Sequence, residues 1–314
     1  MYLLKSYKKV MYTAAAMLCI TLSAVAAKPY PAKYNYNAGS SDGGWYLQLG
    51  GGYSFGAGKG YPAQSYSETR PESGPESVTE SNASFSLGKG VNTVLGLGYM
   101  LNENIGLELN AGYLIGGDNT VENSSKSSYS SYDYSSSRTY VFKLSGLELT
   151  PALRLAAPIG SSSSCFYSRV GVIVPIFSTM VNEYDRKETQ KPKSGTSMSG
   201  SEHKRQEYTS YFKLGYAAAL GIDLSLGEHC SIFAEVSAAV RSFELKKGTI
   251  TEWKTTDPNG NVTDRLATME AKDKETEYLK ELKYDSNTDT DGKDISYSMP
   301  ASSVGVTIGL IIKF

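Results

Sequence analysis

Reactive and metal-binding side chains are nearly missing from this chain of 314 residues, which has three cysteines and two histidines. So small a set supplies no zinc or iron–sulfur ligand cluster, and no Gly-Lys-Ser/Thr phosphate loop is present, so no metal and no cofactor is expected. An excess of charge is missing too. With 31 Lys and Arg against 32 Asp and Glu, the net charge is -1, and neither a nucleic acid nor another polyanion is an evident partner of the whole chain. After residue 25 no apolar run is long enough for a spanning helix, and the mean hydropathy is -0.31. That excludes a helical membrane protein. It leaves a strand-built one untouched, because strands in a membrane wall hide half of their residues from lipid.

What is present begins with an address. Lys5, Lys8 and Lys9 precede an apolar run from Val10 to Val25, and Ala24-Val25-Ala26-Ala27 offers small residues for cleavage before Lys28. This is the layout of a secretory signal peptide over residues 1–27, and Cys19 should leave with it, since Leu18 does not suit lipoprotein processing. Residues 28–43, rich in Pro, Tyr, Asn and Gly, read as a periplasmic lead-in to one unit over 44–314.

The segment from Ser303 to Phe314 alternates strictly. Val304, Val306, Ile308, Leu310, Ile312 and Phe314 share one face of a period-two ribbon, and Ser303, Gly305, Thr307, Gly309 and Lys313 share the other, with Ile311 alone out of pattern. The same alternation marks strands at Trp45 to Phe55, Val91 to Leu101, Ile105 to Tyr113, Leu147 to Pro158, Cys165 to Phe177, Glu207 to Leu226 and Ile232 to about Leu245. Pro151 removes a ladder donor, so a local distortion is expected there. Long polar segments (56–90, 116–138, 178–206, 246–299) alternate with tight turns at Asn102-Glu103-Asn104, Ile159 to Ser164 and Gly227-Glu228-His229. Within the last long segment, Thr249 to Thr256 and Val262 to Met269 flank the turn Asp257-Pro258-Asn259-Gly260. Glu252, Lys254, Asp264 and Arg265 disqualify these arms from facing lipid, at about 2 to 4 kcal/mol for a charge at mid-bilayer, so the hairpin is expected above the membrane.

The expected fold is therefore all-β: an eight-stranded antiparallel up-and-down barrel with short turns at one end and four long loops at the other. From Trp45 to Phe314 this count, the turn asymmetry and the terminal Phe314 resemble the small bacterial outer-membrane barrels of the OmpA transmembrane-domain, OmpX and opacity-protein type. The resemblance implies outer-membrane lipid around the strands, extracellular loops, periplasmic turns, a monomer, and Phe314 as the signal read by the insertion machinery. Unlike full-length OmpA, no peptidoglycan-binding domain is expected. Aromatics at strand ends (Trp45, Tyr99, Phe142, Tyr167, Phe177, Tyr211, Phe212, Phe243, Phe314) fit interfacial girdles.

Strand phase sends Glu108, Glu148, Arg154, Arg169, Lys213, Asp223, Glu235 and Arg241 inward, acids and bases in equal number. An eight-stranded barrel is only wide enough for side chains, so these groups should pair and plug it. Glu108 with Arg154, Arg169 with Asp223 and Glu235, and an upper group of Glu148, Lys213 and Arg241 are the expected neighbours. Gly96, Gly98, Gly106, Gly112, Gly171, Gly215 and Gly221 also point inward, leaving room for tight coiling. Cys165 and Cys230 begin two upward strands about 10 Å apart with opposite phases, which argues against a disulfide; a bridge folded over the rim is the alternative.

The functional expectation is a non-enzymatic surface protein. Adhesion or envelope integrity through the loops is the first reading, with a host, matrix or glycan ligand, and a narrow porin-like channel is the second. A lipid-modifying enzyme or protease is a weaker third, resting on His203 among Ser199, Ser201 and Glu202, because His229 falls in a periplasmic turn.

Overall fold

The computed structural model describes residues 44–58, 64–82, 85–160, 164–282 and 292–314. The expected signal peptide, the lead-in and Cys19 lie outside the described residues. Alternating side chains build a closed antiparallel ring of eight strands: β1 (Trp45–Gly56), β2 (Gly90–Met100), β3 (Ile105–Gly116), β4 (Tyr132–Pro158), β5 (Cys165–Pro192), β6 (Gly215–Ser225), β7 (Cys230–Val240) and β8 (Ser303–Lys313). Each strand pairs with the next, and β8 closes on β1 in an unbroken register from Tyr46↔Lys313 to Gly56↔Ser303. The Phe314 amide extends the seam by donating to the Trp45 carbonyl at 3.0 Å.

Period-two sorting is clear in β8, where Val304, Val306, Ile308 and Leu310 are exposed on the outside while Ser303, Thr307, Ile311 and Lys313 are buried inside. All eight strands add to this apolar outer face, for instance through Leu49, Leu95, Leu107, Leu153, Phe166, Leu224 and Ile232. Two buried clusters fill the other side. One lies among the short turns and joins Tyr46, Met100, Ala156, Cys165, Tyr167, Phe233 and Ile311. The second sits at the opposite end and gathers Phe85, Leu87, Leu114, Phe142, Leu144, Met180, Tyr208, Phe243, Leu245 and Met299. Phe142, Tyr167 and Phe243, expected in aromatic girdles, are thus core residues: each lies on the inward phase of its strand, where burial outweighs an interfacial position.

The long polar segments are mostly strand. β4 begins at Tyr132 and β5 runs on to Pro192, so the two continue as one ribbon above the ring. Against β4 lies Asn119–Ser128, and a hairpin of Gln64–Arg70 and Ser77–Asn82 adds to it in parallel through Gln64–Arg70. Against β5 lies Met198–Ser210, followed by Ser242–Thr256. The expected sixth strand therefore divides, because Glu207 belongs to Met198–Ser210 and β6 starts only at Gly215. The expected seventh likewise ends at Val240, and Ser242–Thr256 leaves the ring to pair with Met198–Ser210. This extension, the tower, is held by polar cross-strand contacts rather than by alternating apolar residues: Arg205 meets Glu183 at 3.0 Å, His203 meets Asp185 at 2.8 Å, and the rings of Tyr140 and Tyr184 lie 5.0 Å apart.

The hairpin expected around Asp257-Pro258-Asn259-Gly260 forms outside the ring, with Lys254–Thr256 pairing Val262–Asp264. Its second arm is shorter than expected, since Leu266–Thr268 turns into a 3-10 helix. The distortion expected at Pro151 is visible on the β5 side, where the register slips at Leu147/Glu148 and resumes at Ala152↔Gly171 without partners for Thr150 and Pro151.

At the seam the backbones approach so closely that Gly309 has no room for a side chain; a Cβ there would collide with the Leu49 carbonyl oxygen. Gly309→Ala should therefore weaken closure of β1 on β8. The expected result is loss of the compact, heat-modifiable band on gels of detergent-refolded protein, whereas Ile308→Ala on the outer face should keep it.

Candidate functional site

Near the short-turn end, Arg154 crosses the interior from β4 with 1% of its surface exposed. Its guanidinium reaches Glu108 of β3 and Asp223 of β6 at 3.3 Å each. It also stacks between two tyrosines, 4.0 Å from the ring centroid of Tyr167 and 5.3 Å from that of Tyr46. Arg169 of β5 bridges Glu108 at 3.1 Å and Glu235 of β7 at 2.6 Å. Lys313 of β8 lies 3.7 Å from Asp223. Tyr46 donates to Glu108 at 2.5 Å, Asn110 to Glu108 at 3.1 Å, and Tyr167 to Glu235 at 3.0 Å. The three cations Arg154, Arg169 and Lys313 face the three carboxylates Glu108, Asp223 and Glu235, so the layer is neutral, which a buried charge cluster requires.

Two inward glycines make room for this layer. Gly98 pairs directly across from Tyr46 and Gly221 directly across from Tyr167, and a Cβ at either would strike the facing tyrosine ring. Each tyrosine thus lies over a glycine of the next strand, and Arg154 fits between the two rings.

Glu148 and Arg241 form a separate pair at 2.8 Å, with Arg241 also donating to the Ser303 hydroxyl at 3.4 Å. Between the two levels is a cavity of about 100 Å³ bounded by Asn110, Arg169 and Glu235 on one side and Glu148 and Arg241 on the other. Asn110 Oδ1 and Arg241 Nε are buried without a partner among the described residues, and a polar space of this size holds several waters. Lys213 lines a pocket together with Glu148 and Arg241 but makes its ion pair elsewhere. It precedes β6, is exposed, and pairs with Glu244.

Charge and phase together did not select Tyr46, Asn110, Tyr167 and Lys313 as members of the layer, although all four sit on the inward phase of their strands. The signal that could have found the tyrosines is the pairing of a large ring with an inward glycine. Cys165 is buried with its sulfur 4.0 Å from Arg154, Cys230 is half-buried, and both are free thiols. His203 lies in the tower with Asp185 at 2.8 Å and Glu252 at 4.0 Å, and His229 faces the Lys313 carbonyl at 3.3 Å. Also in the tower, burial pushes Lys204 down and Tyr184 up from their ordinary pKa values. Burial would raise the Glu188 carboxyl, but hydrogen bonds from Tyr134 and Arg186 hold it below its ordinary range.

Removing one member of the neutral layer leaves opposite charges buried without compensation. Glu108→Ala should lower the stability of the folded ring by about 3 to 5 kcal/mol, measured by urea titration of tryptophan fluorescence in detergent. A Glu108→Leu/Arg154→Met double replacement should recover part of that loss; equal or greater destabilisation would mean that the layer is held by packing and not by charge.

No family model and no curated protein matches the chain. Among solved structures it is similar to the outer membrane protein OprG from Pseudomonas aeruginosa, at 13% identity and a TM-score of 0.35 over 88% of this chain and 98% of that one. It is also similar to CarO2 of Acinetobacter baumannii, at 13% identity and a TM-score of 0.23 over 86% of this chain and 99% of that one. At these values neither likeness transfers a function. The all-strand ring with its apolar outer face fits a small bacterial outer-membrane β-barrel.

Proposed function

We propose that this chain is a non-enzymatic outer-membrane barrel protein that works through its tower, in surface attachment or envelope integrity, while its ring is closed to ions. The observation that carries this reading is the neutral layer around Arg154, which spans the interior from β3 and β4 to β7 and β8 with buried, mutually paired groups. A continuous apolar belt of this extent has no place in water, and lipid is its natural solvent. The signal peptide expected at residues 1–27 supplies the route to that membrane, and Phe314 at the β1–β8 seam is the residue offered to the insertion machinery. With long segments on one side and turns on the other, the tower faces outward and the turns face the periplasm, the protein acting as a monomer.

A narrow channel is the second reading, favoured by the polar cavity of about 100 Å³ between the Arg169 and Arg241 levels. The enzyme reading draws little from His203, whose partners are the carboxylates Asp185 and Glu252 rather than a serine hydroxyl.

Planar-bilayer recording separates the first two. Wild-type protein should be silent and Arg169→Ala should admit current; steady ohmic conductance of the wild type would favour the channel. Attachment of cells to host matrix should fall when Gln64–Asn82 is deleted, and unchanged attachment with normal folding would remove the support for a surface role.

Orientation is tested separately. A protease of broad specificity added to intact cells should cut near Lys272, which is exposed in the tower, and spare the turns near Asn102 and Glu228. Cleavage only after the outer membrane is broken would invert the orientation.

A further inference from the structure

The tower is a sheet with two edges, and they are finished differently. On one side Ser242–Thr256 is covered in turn by Ser298–Pro300, Glu275–Leu279 and Val262–Asp264, with Lys293–Ile295 added to the second of these. On the other side the last strand is Ser77–Asn82, which pairs with Gln64–Arg70 and, among the described residues, with no other strand. Its residues from Ser77 to Ser81 are exposed, Val78 at 50%. A strand left this way offers a row of unpaired amides and carbonyls, which natural edges guard with Lys, Pro or a bulge. Ser77–Asn82 contains no Lys and no Pro, and its pairing with Gln64–Arg70 runs without a slip in register.

This bare edge stands clear of the ring. Val78 pairs with Glu68, Glu68 with Ser125 and Ser125 with Ser136, and β4 carries Ser136 about 30 Å beyond Gly146, the last residue it pairs to β3. The same cross-strand steps align Ser77–Asn82 with β4, so the edge runs along the tower and not across it. Two such edges can join into one sheet by antiparallel pairing about a two-fold axis perpendicular to that sheet. The axis keeps each face on its own side, so odd-numbered residues meet odd and even meet even. With Thr79 opposite the Thr79 of a second copy, Ser77 meets Ser81 and Val78 meets Glu80, which gives hydroxyl pairs on one face and no like charges. Moving the axis to Val78 sets Glu76 against Glu80, and moving it to Glu80 sets that carboxylate against its own copy.

We propose that this edge binds the same edge of a second copy whose ring lies in a facing membrane. The two-fold axis reverses the strand and with it the whole tower, so an antiparallel partner stands in an opposed bilayer and not beside the first copy. Six residues a side fall far short of the roughly 20–30 a side of a stable complex, so each copy is a monomer in its own membrane. Many copies on two apposed surfaces act together, and such linkage raises weak affinities by about 10²–10⁴. A strand of an unrelated protein is less well served. On one face Ser77, Thr79 and Ser81 lie against Thr69, Ser67 and Ser65, and these short hydroxyls form no deep pockets of the kind that make strand addition selective. The proposal rests on the reading that the tower is extracellular, and it names the partner of that surface.

The test reconstitutes the full protein into two populations of vesicles carrying different dyes and counts two-colour clusters by flow cytometry. Wild-type populations should cluster with each other and not with bare vesicles. Thr79→Lys on both populations sets like charges face to face and should cut clustering about tenfold or more, as should Thr79→Glu on both. Thr79→Lys vesicles mixed with Thr79→Glu vesicles should cluster again. Both variants should keep the compact, heat-modifiable band, because Thr79 is exposed. Absence of wild-type clusters would leave the edge to a strand of another protein, clustering with bare vesicles would mean that the tower grips lipid, and undiminished clustering of Thr79→Lys with itself would place the contact elsewhere. Each of these outcomes overturns the proposal, as does a mixture of the two charge variants that clusters no better than either alone. Labelling Thr79→Cys on intact cells with an impermeant maleimide tests the orientation independently: failure to label would refute an extracellular tower, and the vesicle assay would still decide the edge.

Discussion

A guanidinium with 1% of its surface exposed has to be neutralised where it stands, and the interior of the ring is arranged around that necessity. Arg154 draws a carboxylate from the strand before it and another from across the bore, and each carboxylate is shared with a further cation, Arg169 or Lys313. With Glu235 bound to Arg169, the shared partners tie six strands, β3 to β8, together at one height. The flat faces of the guanidinium need cover as well, and Tyr46 and Tyr167 supply it only because glycines opposite them leave space for the rings. Charge, aromatic stacking and backbone spacing thus meet in one layer, and a change in any of them disturbs the other two.

The tower follows a different rule. Its strands are rich in serine, tyrosine and charge, and they hold together by ladders and cross-strand pairs such as Arg205–Glu183, not by an apolar inner face along their whole length. Near the ring, where Phe142, Leu144, Met180 and Tyr208 cluster, it still has a core. Farther out the sheet is polar on the side carrying Thr69, Lys126, Ser135 and Thr189, which leaves that surface free to meet solutes.

This contrast explains what could be read from the sequence. The ring strands were legible because lipid on one side and a packed interior on the other force a period of two, and β8 shows it almost without exception. The tower strands carry no such period. Segments such as Asn119–Ser128 and Met198–Ser210 read as loops although their backbones are paired, since each buries only one or two apolar residues, such as Val121 and Tyr208, and is polar along the rest of its length. Inside the ring, phase alone points Glu108, Arg154, Asp223 and Glu235 inward, and all four are buried there. The expected pairs Glu108 with Arg154, Arg169 with Glu235 and Glu148 with Arg241 are all present, whereas Asp223 belongs to Arg154 and Lys313 instead of Arg169, because partners depend on the height and curvature of the wall. Lys213 stays near Glu148 and Arg241, but the break before Gly215 turns its ammonium to Glu244 instead.

The pairing of β1 with β8 also governs timing. The earliest and latest strands of the ring are partners, so each remains an open edge until all the others are in place. Loop-closure entropy grows only logarithmically with the intervening length, so the burden falls on rate more than on final stability. During that interval two unpaired strand edges are available to other chains, a recognised route to aggregation. The tower's hairpins pair segments much closer in sequence and carry no such wait. Escort of the unfinished sheet, rather than help with the outward-facing part, is what this connectivity demands of the cell.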